Sequence, residues 1–176
     1  MQKVLEPDTR RALYGSQGSL AREVKTEFKI VKEFPENLSP RKIEEAVLDF
    51  IQESHVKGDP IGIFNQTMES IAGSTVLGGS GYFWLGTEGE KVVSYLLAHV
   101  TKDIDNLPTY YIPQAWVARE YRGNQVVKMW WEKVREHAKS RFCKHIVLVS
   151  SRNEKAYERF LGHGLTHYAS LLMEDI

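Results

Sequence analysis

The stretch Ala115-Trp-Val-Ala-Arg-Glu-Tyr-Arg-Gly-Asn-Gln-Val-Val-Lys-Met-Trp130 decides the fold of this chain. It begins as a strand, in which Ala115 and Val117 share one face and the residues next to them share the other. It turns at residues 119–123 and continues directly into an amphipathic helix. The first N–H groups of a helix have no partner inside it, and the helix dipole is positive there. The stretch therefore predicts an anion site that suits a phosphate.

A strand is predicted from residue 26, and a helix is predicted after residue 39. Residues 26–34 alternate well enough for a strand, with Phe28 and Ile30 on one face. Ser39 is a good N-cap and Pro40 suits the first position of a helix. The half-buried stripe of this helix consists of Ile43, Val47, Phe50 and Ile51.

A second helix and a hairpin follow. Gly58-Asp59-Pro60 stops the first helix, and a second helix is expected over 63–71. Residues 78–81 form a glycine-rich link. The hairpin consists of strands 82–85 and 92–100 around a turn at 86–90.

The elements downstream alternate between strand and helix. Residues 109–118 form a strand and residues 124–142 a helix, and the short 144–149 run is typical of a central buried strand. A further helix begins at Asn153, and a last strand covers 167–173. The apolar side of the 124–142 helix consists of Val127, Trp130, Trp131 and Val134.

Val117-Ala-Arg-Glu-Tyr-Arg-Gly123 resembles the turn before the acyl-CoA pyrophosphate loop of the GNAT superfamily of N-acyltransferases, V-x-P-E-Y-R-G-x-G-x-G/A. Residues 141–150 resemble the family's next strand, and residues 151–165 its N-x-x-A-x-x-x-Y-x-x-x-G-F helix. The resemblance covers roughly residues 80–176, and more weakly the chain from about residue 26. It implies an α/β fold with a mixed, twisted sheet and helices on both faces. The expected organisation is an N-terminal extended arm over 1–25 and a GNAT-like domain over 26–176.

The chain departs from the family pattern at the loop and at the last helix. Gln125 and Val127 stand where the family has glycines, which let the backbone come close to the phosphates. Phe160 stands where the family has a tyrosine that often serves as general acid, and Leu165 replaces the usual phenylalanine after Gly164.

The resemblance implies acetyl-CoA as co-substrate. The backbone of Val117 would pair with the pantetheine arm, and the turn and helix start would hold the pyrophosphate. The plain alternatives are a strand-to-helix turn without a ligand, a solvated Arg122, and Asn153 as a helix N-cap. The expected cofactor-binding residues are Val117, Arg122, Gly123, Asn124, Gln125, Val126, Val127, Lys128 and Asn153.

Tyr157 is the candidate catalytic residue. It lies three residues before Phe160 on nearly the same helix face, so it can replace the missing acid, or else it packs against the sheet. His99 and His163 have a suitable intrinsic pKa but no companion at catalytic spacing, so a structural or solvated role is expected. Glu120 is interpreted as a partner of the helix dipole.

Composition excludes several classes of protein. The 23 basic residues balance 23 acidic ones, which gives no sign of nucleic-acid or membrane binding. Cys143 is the single cysteine, so no internal disulfide forms, and no His/Cys cluster has metal-ligand spacing. No apolar run approaches the roughly 20 residues of a membrane span, and no signal core is present. A cytoplasmic protein is expected.

Three functions compete at this point. The first is an acyl-CoA-dependent N-acetyltransferase that transfers an acetyl group to an amine. The second is a catalytically inactive GNAT-fold protein with a binding or assembly role. The third is a binding module that keeps CoA only as a structural ligand. The plain alternatives for the arm are a frayed terminus or a segment that folds back on its own domain. We expect it instead to pack on a neighbouring subunit or a larger assembly, because its apolar side chains exceed what a solvated tail needs. These side chains are Val4, Leu5, Leu13, Tyr14 and Leu20.

Overall fold

The computed structural model describes residues 26–33, 36, 38–54, 58–76, 81–122 and 125–149; of residues 76 and 125 it describes the backbone alone. The elements in chain order are β1 (Glu27–Ile30), α1 (Pro40–Ser54), α2 (Pro60–Val76), β2 (Gly81–Glu88), β3 (Lys91–Lys102), β4 (Pro108–Val117), a 3-10 turn (Arg119–Tyr121), α3 (Gln125–Ser140) and β5 (His145–Leu148).

The strands form one mixed sheet in the order β1-β2-β3-β4-β5. The pairings from β1 to β4 are antiparallel, and β4 pairs with β5 in parallel. A parallel pair needs a crossover, and α3 supplies it. The predicted α/β class with a mixed sheet is confirmed.

Helices cover both faces of this sheet, because successive strand residues point to opposite faces. Phe83 and Tyr95 pack in the cluster that contains α1 and α2. Trp84 and Leu96, their neighbours in sequence, pack with α3 in the other cluster. Each face therefore has its own hydrophobic core.

The prediction for α1 is confirmed, and the predicted start of α2 is corrected. The stripe of α1 is confirmed, with Ile43 and Val47 buried and Phe50 partly buried against the core. The second helix begins at Pro60 rather than residue 63. The Asp59 carboxylate accepts hydrogen bonds from the N–H groups of residues 61 and 62, both at 3.0 Å. The sequence predicted to stop one helix therefore also caps the next.

The hairpin is longer than predicted. Its turn consists of Gly89 and Glu90 only, and residues 86–88 continue β2. Gly89 has φ 59°, the left-handed conformation that a tight hairpin turn requires. Gly81, expected in the link, is the first residue of β2, and a Cβ there would lie 2.5 Å from Ser74 Oγ.

The buried face of α3 differs by one position from the prediction. It consists of Val126, Trp130, Val134 and Ala138. Val127 and Trp131 are half-buried at its border. The predicted strand after α3 is confirmed over His145–Leu148, although its side chains are half-buried or exposed rather than fully buried.

Several predicted segments lie outside the described residues. These are the arm over 1–25, the helix from Asn153 and the strand over 167–173. Among the helices that the structure describes, none has the length and apolar character needed to cross a bilayer.

Candidate active site

A bulge interrupts β4 near its middle. Leu97 pairs with Gln114, and His99 pairs with Tyr111. One residue of β3 and two residues of β4 lie between these pairs, so β4 carries the extra residue. One of the two is Pro113, which has no N–H to donate and is tolerated at a bulge.

The described pairing of β4 with β5 ends at this bulge. The last pair is Ile112 with Leu148, and the Val149 N–H donates to the Ile112 carbonyl at 3.0 Å. β4 continues beyond this point to Val117 along β3. The side of β4 that faces β5 is thus paired before the bulge and has no described β5 partner after it.

The backbone of Val117 points to that side. The Ala118 N–H donates to the Val93 carbonyl on β3 at 2.8 Å. In a trans peptide the preceding carbonyl points the opposite way, so the Val117 carbonyl points away from β3. There it accepts a hydrogen bond from Arg122 Nε at 2.7 Å.

Arg122 is neither free nor simply solvated. Its Nη2 also forms an ion pair with the Glu53 carboxylate, and both side chains are about one-third exposed, at 31% and 32%. The same oxygen of Glu53 accepts a hydrogen bond from Trp116 Nε1 at 3.2 Å. Arg122 therefore ties the end of β4 to the end of α1, and a phosphate would have to compete with Glu53 for it.

The 3-10 turn is fixed to the β2–β3 hairpin. Lys91 Nζ lies 2.5 Å from Glu120 Oε1, and the hydroxyl of Tyr121 donates to Glu88. The hydrogen bond from Lys91 lowers the pKa of Glu120, which makes this exposed carboxylate a poor proton acceptor. In the structure the partner of the Glu120 carboxylate is Lys91, whereas the sequence predicted an interaction with the helix dipole.

The start of α3 presents few side chains to a ligand. Val126 is buried in the cluster that contains α1 and α2, so only its backbone is available. Val127 is half-buried and Lys128 is exposed. Gly123, Asn124, Asn153 and Tyr157 lie outside the described residues, as does the side chain of Gln125.

A cleft of about 650 Å³ opens between α2 and the bulge. Its volume is that of a small-molecule site. No side chain that lines it in the described chain carries a fixed charge. Its polar lining consists of Gln66, Ser70, Ser74, His99 and Gln114.

Sequence reasoning missed this cleft. Gln66, Ser70 and Ser74 recur every four residues, which places them on one face of α2. That spacing was the available signal, but it did not reveal that the opposite wall comes from β3 and β4.

His99 lies in this cleft rather than in the hydrophobic core. Its ring is tilted against Tyr111 with 5.0 Å between the centroids, and its side chain is half-buried. Burial lowers the pKa of His99 below its ordinary 6.5. The imidazole is therefore neutral at pH 7 and able to accept a proton.

A second cleft, of about 500 Å³, lies between α1 and the hairpin. Charged side chains line it, among them Lys42, Glu45 and Asp49. Lys42 forms an ion pair with Glu90 at 2.9 Å, and Lys91 pairs with Glu120. Its two lysines are thus already paired with acids.

Solved acetyltransferase structures share this fold. Glucosamine-6-phosphate N-acetyltransferase from Arabidopsis thaliana is 19% identical, with a TM-score of 0.52 over 85% of this chain and 98% of that chain. Ribosomal-protein-alanine N-acetyltransferase from Brucella melitensis is 11% identical, with a TM-score of 0.58 over 86% and 98%. A predicted acetyltransferase from Clostridium acetobutylicum, solved with acetyl-CoA, is 12% identical, with a TM-score of 0.55 over 85% and 96%.

At these identities the likeness to solved structures shows the fold. Curated protein sequences give no match to the chain. The model of the Acetyltransferase (GNAT) family matches residues 45–163, which is more than half of the sequence and includes α2, the bulge and the turn before α3. The chain belongs to the GNAT acetyltransferase family.

Proposed function

We propose that this protein is an acyl-CoA-dependent N-acetyltransferase that acetylates a primary amine held in the cleft between α2 and the β4 bulge. The observation that carries the proposal is the bulge, because the cleft opens beside it, with Pro113 and Gln114 of β4 in its lining. Family membership and a relative solved with acetyl-CoA support the choice of co-substrate.

The donor would bind along β4 and at the start of α3. The backbone of Val117 is directed away from β3, and a pantetheine arm that paired with its carbonyl would share it with Arg122 Nε or displace that group. The first N–H groups of α3 offer hydrogen bonds to a pyrophosphate, and Lys128 adds an exposed positive charge nearby. Gly123, Asn124 and Asn153 belong to the same proposed site.

In the reaction the neutral amine attacks the thioester carbonyl carbon and forms the C–N bond. Backbone N–H groups stabilise the oxyanion of the tetrahedral intermediate. The nitrogen then loses a proton, and His99 is the neutral base in the cleft that could take it. The C–S bond breaks, and the CoA thiolate receives a proton, for which Tyr157 remains the proposed donor.

The experiment measures CoA release from acetyl-CoA with a thiol reagent, in the presence and absence of a panel of primary amines. The proposal predicts release that depends on the amine, together with an acetylated product in mass spectrometry. Acetyl-CoA that neither binds in calorimetry nor loses its acetyl group with any amine would overturn it.

One observation favours the second function, an inactive GNAT-fold protein with a binding or assembly role. Arg122 Nε already donates to the Val117 carbonyl, and its Nη2 pairs with Glu53. The carbonyl that the pantetheine arm would use therefore already has a partner. In that case acetyl-CoA either fails to bind or binds without transfer, and the N-terminal arm carries the function.

A further inference from the structure

We propose that Gln114 positions the acceptor amine, and that the acceptor is a primary amine on an uncharged scaffold rich in hydrogen-bonding groups. The inference rests on the proposed acetyl transfer and adds to it the class of substrate and the side chain that recognises it.

The orientation of the Gln114 amide follows from Thr67. The buried hydroxyl of Thr67 has one proton, which it donates to the Ile63 carbonyl at 2.7 Å. Gln114 Nε2 lies 2.9 Å from Thr67 Oγ1, and Gln114 Oε1 lies 3.2 Å from it. Because the only proton of the hydroxyl is engaged, Thr67 accepts from Nε2 and offers nothing to Oε1. The carbonyl oxygen of Gln114 is left to accept another hydrogen bond in the cleft.

The position of this oxygen suits an attacking amine. Gln114 comes directly after Pro113 at the bulge of β4, and both residues line the cleft. An amine that attacks a carbonyl uses its lone pair and keeps N–H groups to donate. A carboxylate at this position would favour the ammonium form, whereas a neutral amide orients the amine without stabilising the unreactive charged form.

The walls of the cleft indicate what the amine is attached to. The hydroxyl of Ser70 donates to the Gln66 carbonyl, and that of Ser74 to the Ser70 carbonyl, both at 2.8 Å. Their lone pairs therefore accept from hydroxyl or amide groups of a substrate.

Two of the elements that form the walls, α2 and β4, are also almost free of charge. Glu69 is the single charged residue of α2, and β4 has none. A phosphorylated or polycationic acceptor would lose water and meet no opposite charge among the described side chains that line the cleft, which is unfavourable. A hydroxylated scaffold that carries no charge besides its amine meets groups that match it.

Calorimetry and turnover with three amines test the proposal. The amines are an amino polyol that carries no charge besides its amine, a linear polyamine and a phosphorylated amino alcohol, each with wild type, Gln114→Leu and Thr67→Val. We expect the amino polyol to bind best. Each substitution should weaken its binding about tenfold, the value of one hydrogen bond, and leave acetyl-CoA affinity unchanged. The matched control is Thr101→Val, an exposed threonine of β3, which should change neither affinity.

The binding data separate this inference from the acetyl transfer itself. Binding of the amino polyol that depends on Gln114, without CoA release, supports the inference and contradicts the transfer reaction. Binding that is equal in wild type and Gln114→Leu, preferred binding of the polyamine or the phosphorylated amine, or no binding of any of them overturns the inference. Circular dichroism confirms that each variant is folded.

Discussion

The guanidinium of Arg122 donates to the Val117 carbonyl and to the Glu53 carboxylate. From the sequence alone, the expected partner of Arg122 is a phosphate or water, because Glu53 is 69 residues away in the chain. The same limit applies to Gln114 and Thr67, which are 47 residues apart. Local pattern identifies the turn and the helix, but only the folded sheet brings such partners together.

Replacing Glu53 with glutamine should release Arg122 toward a phosphate. We expect acetyl-CoA to bind more tightly, measured by calorimetry, because the guanidinium no longer has to leave a carboxylate. The melting temperature should fall slightly, since a partly exposed ion pair contributes about 1 kcal/mol or less. Glu45→Gln is the control, because it removes an exposed pair with Arg41 at 3.2 Å on the same helix. If the two variants have equal acetyl-CoA affinity, Arg122 plays no part in binding the donor.

His99 should give activity a characteristic pH dependence. Because burial lowers its pKa, the imidazole protonates only below its ordinary 6.5. We expect kcat/KM for the amine to fall in acid below that value, and His99→Gln to lose on the order of 100-fold in kcat/KM. The control His145→Gln replaces an exposed histidine at the start of β5. An unchanged pH profile in His99→Gln would remove His99 from the mechanism.

Burial of His99 and of His137, whose pKa is also lowered by burial, has a consequence for stability. The folded pKa values lie below the unfolded value near 6.5, so the unfolded chain binds more protons as the pH falls through 6.5. The free energy of unfolding should therefore decrease from that pH downward until the folded pKa values are passed. Urea titrations at several pH values test this; a smaller decrease is expected in His137→Gln. Stability that is flat between pH 7 and pH 5 would contradict it.

At the scale of elements, the sequence predicts the type and order of every described helix and strand. Periodicity and caps suffice for this, because Ser39-Pro40 and Asp59-Pro60 carry local signals. The failures, in contrast, have non-local reasons. The bulge in β4 depends on pairing with β3, and the inward orientation of Val126 depends on how α3 packs. Neither interaction leaves a pattern in a short window of sequence.

The N-cap of α2 provides a test of this local account. Asp59→Ala removes both hydrogen bonds to the helix start and should lower the free energy of unfolding by about 1 kcal/mol, measured in urea. The control is Asn65→Ala, an exposed position in the interior of the same helix. Equal effects of the two substitutions would contradict the capping role. Because α2 forms one wall of the cleft, the Asp59 variant should also bind the acceptor less tightly.

At the scale of the whole molecule, two hydrophobic clusters hold helices on opposite faces of one sheet. The chain has equal numbers of acidic and basic residues, but the charged side chains are not spread evenly over the two described clefts. One cleft is lined by paired charges and the other by uncharged polar groups. That contrast, which composition alone does not reveal, distinguishes the proposed acceptor site from the cleft between α1 and the hairpin.

The arm over residues 1–25 stays a prediction at this scale. Deleting it should leave the domain folded by circular dichroism and abolish self-association in sedimentation, because its apolar side chains would pack on a neighbouring copy. A full-length protein that is already monomeric, with an arm as sensitive to protease as a free tail, contradicts the assembly role.

Amine-dependent CoA release by the full-length protein, with mass detection of the acetylated product, tests the central claim most directly. The account predicts that wild type releases CoA when an amino polyol with no charge besides its amine is present. It also predicts that Gln114→Leu and His99→Gln release much less, and that Thr101→Val matches wild type. No release above the rate without amine, from a folded protein saturated with acetyl-CoA, would contradict it.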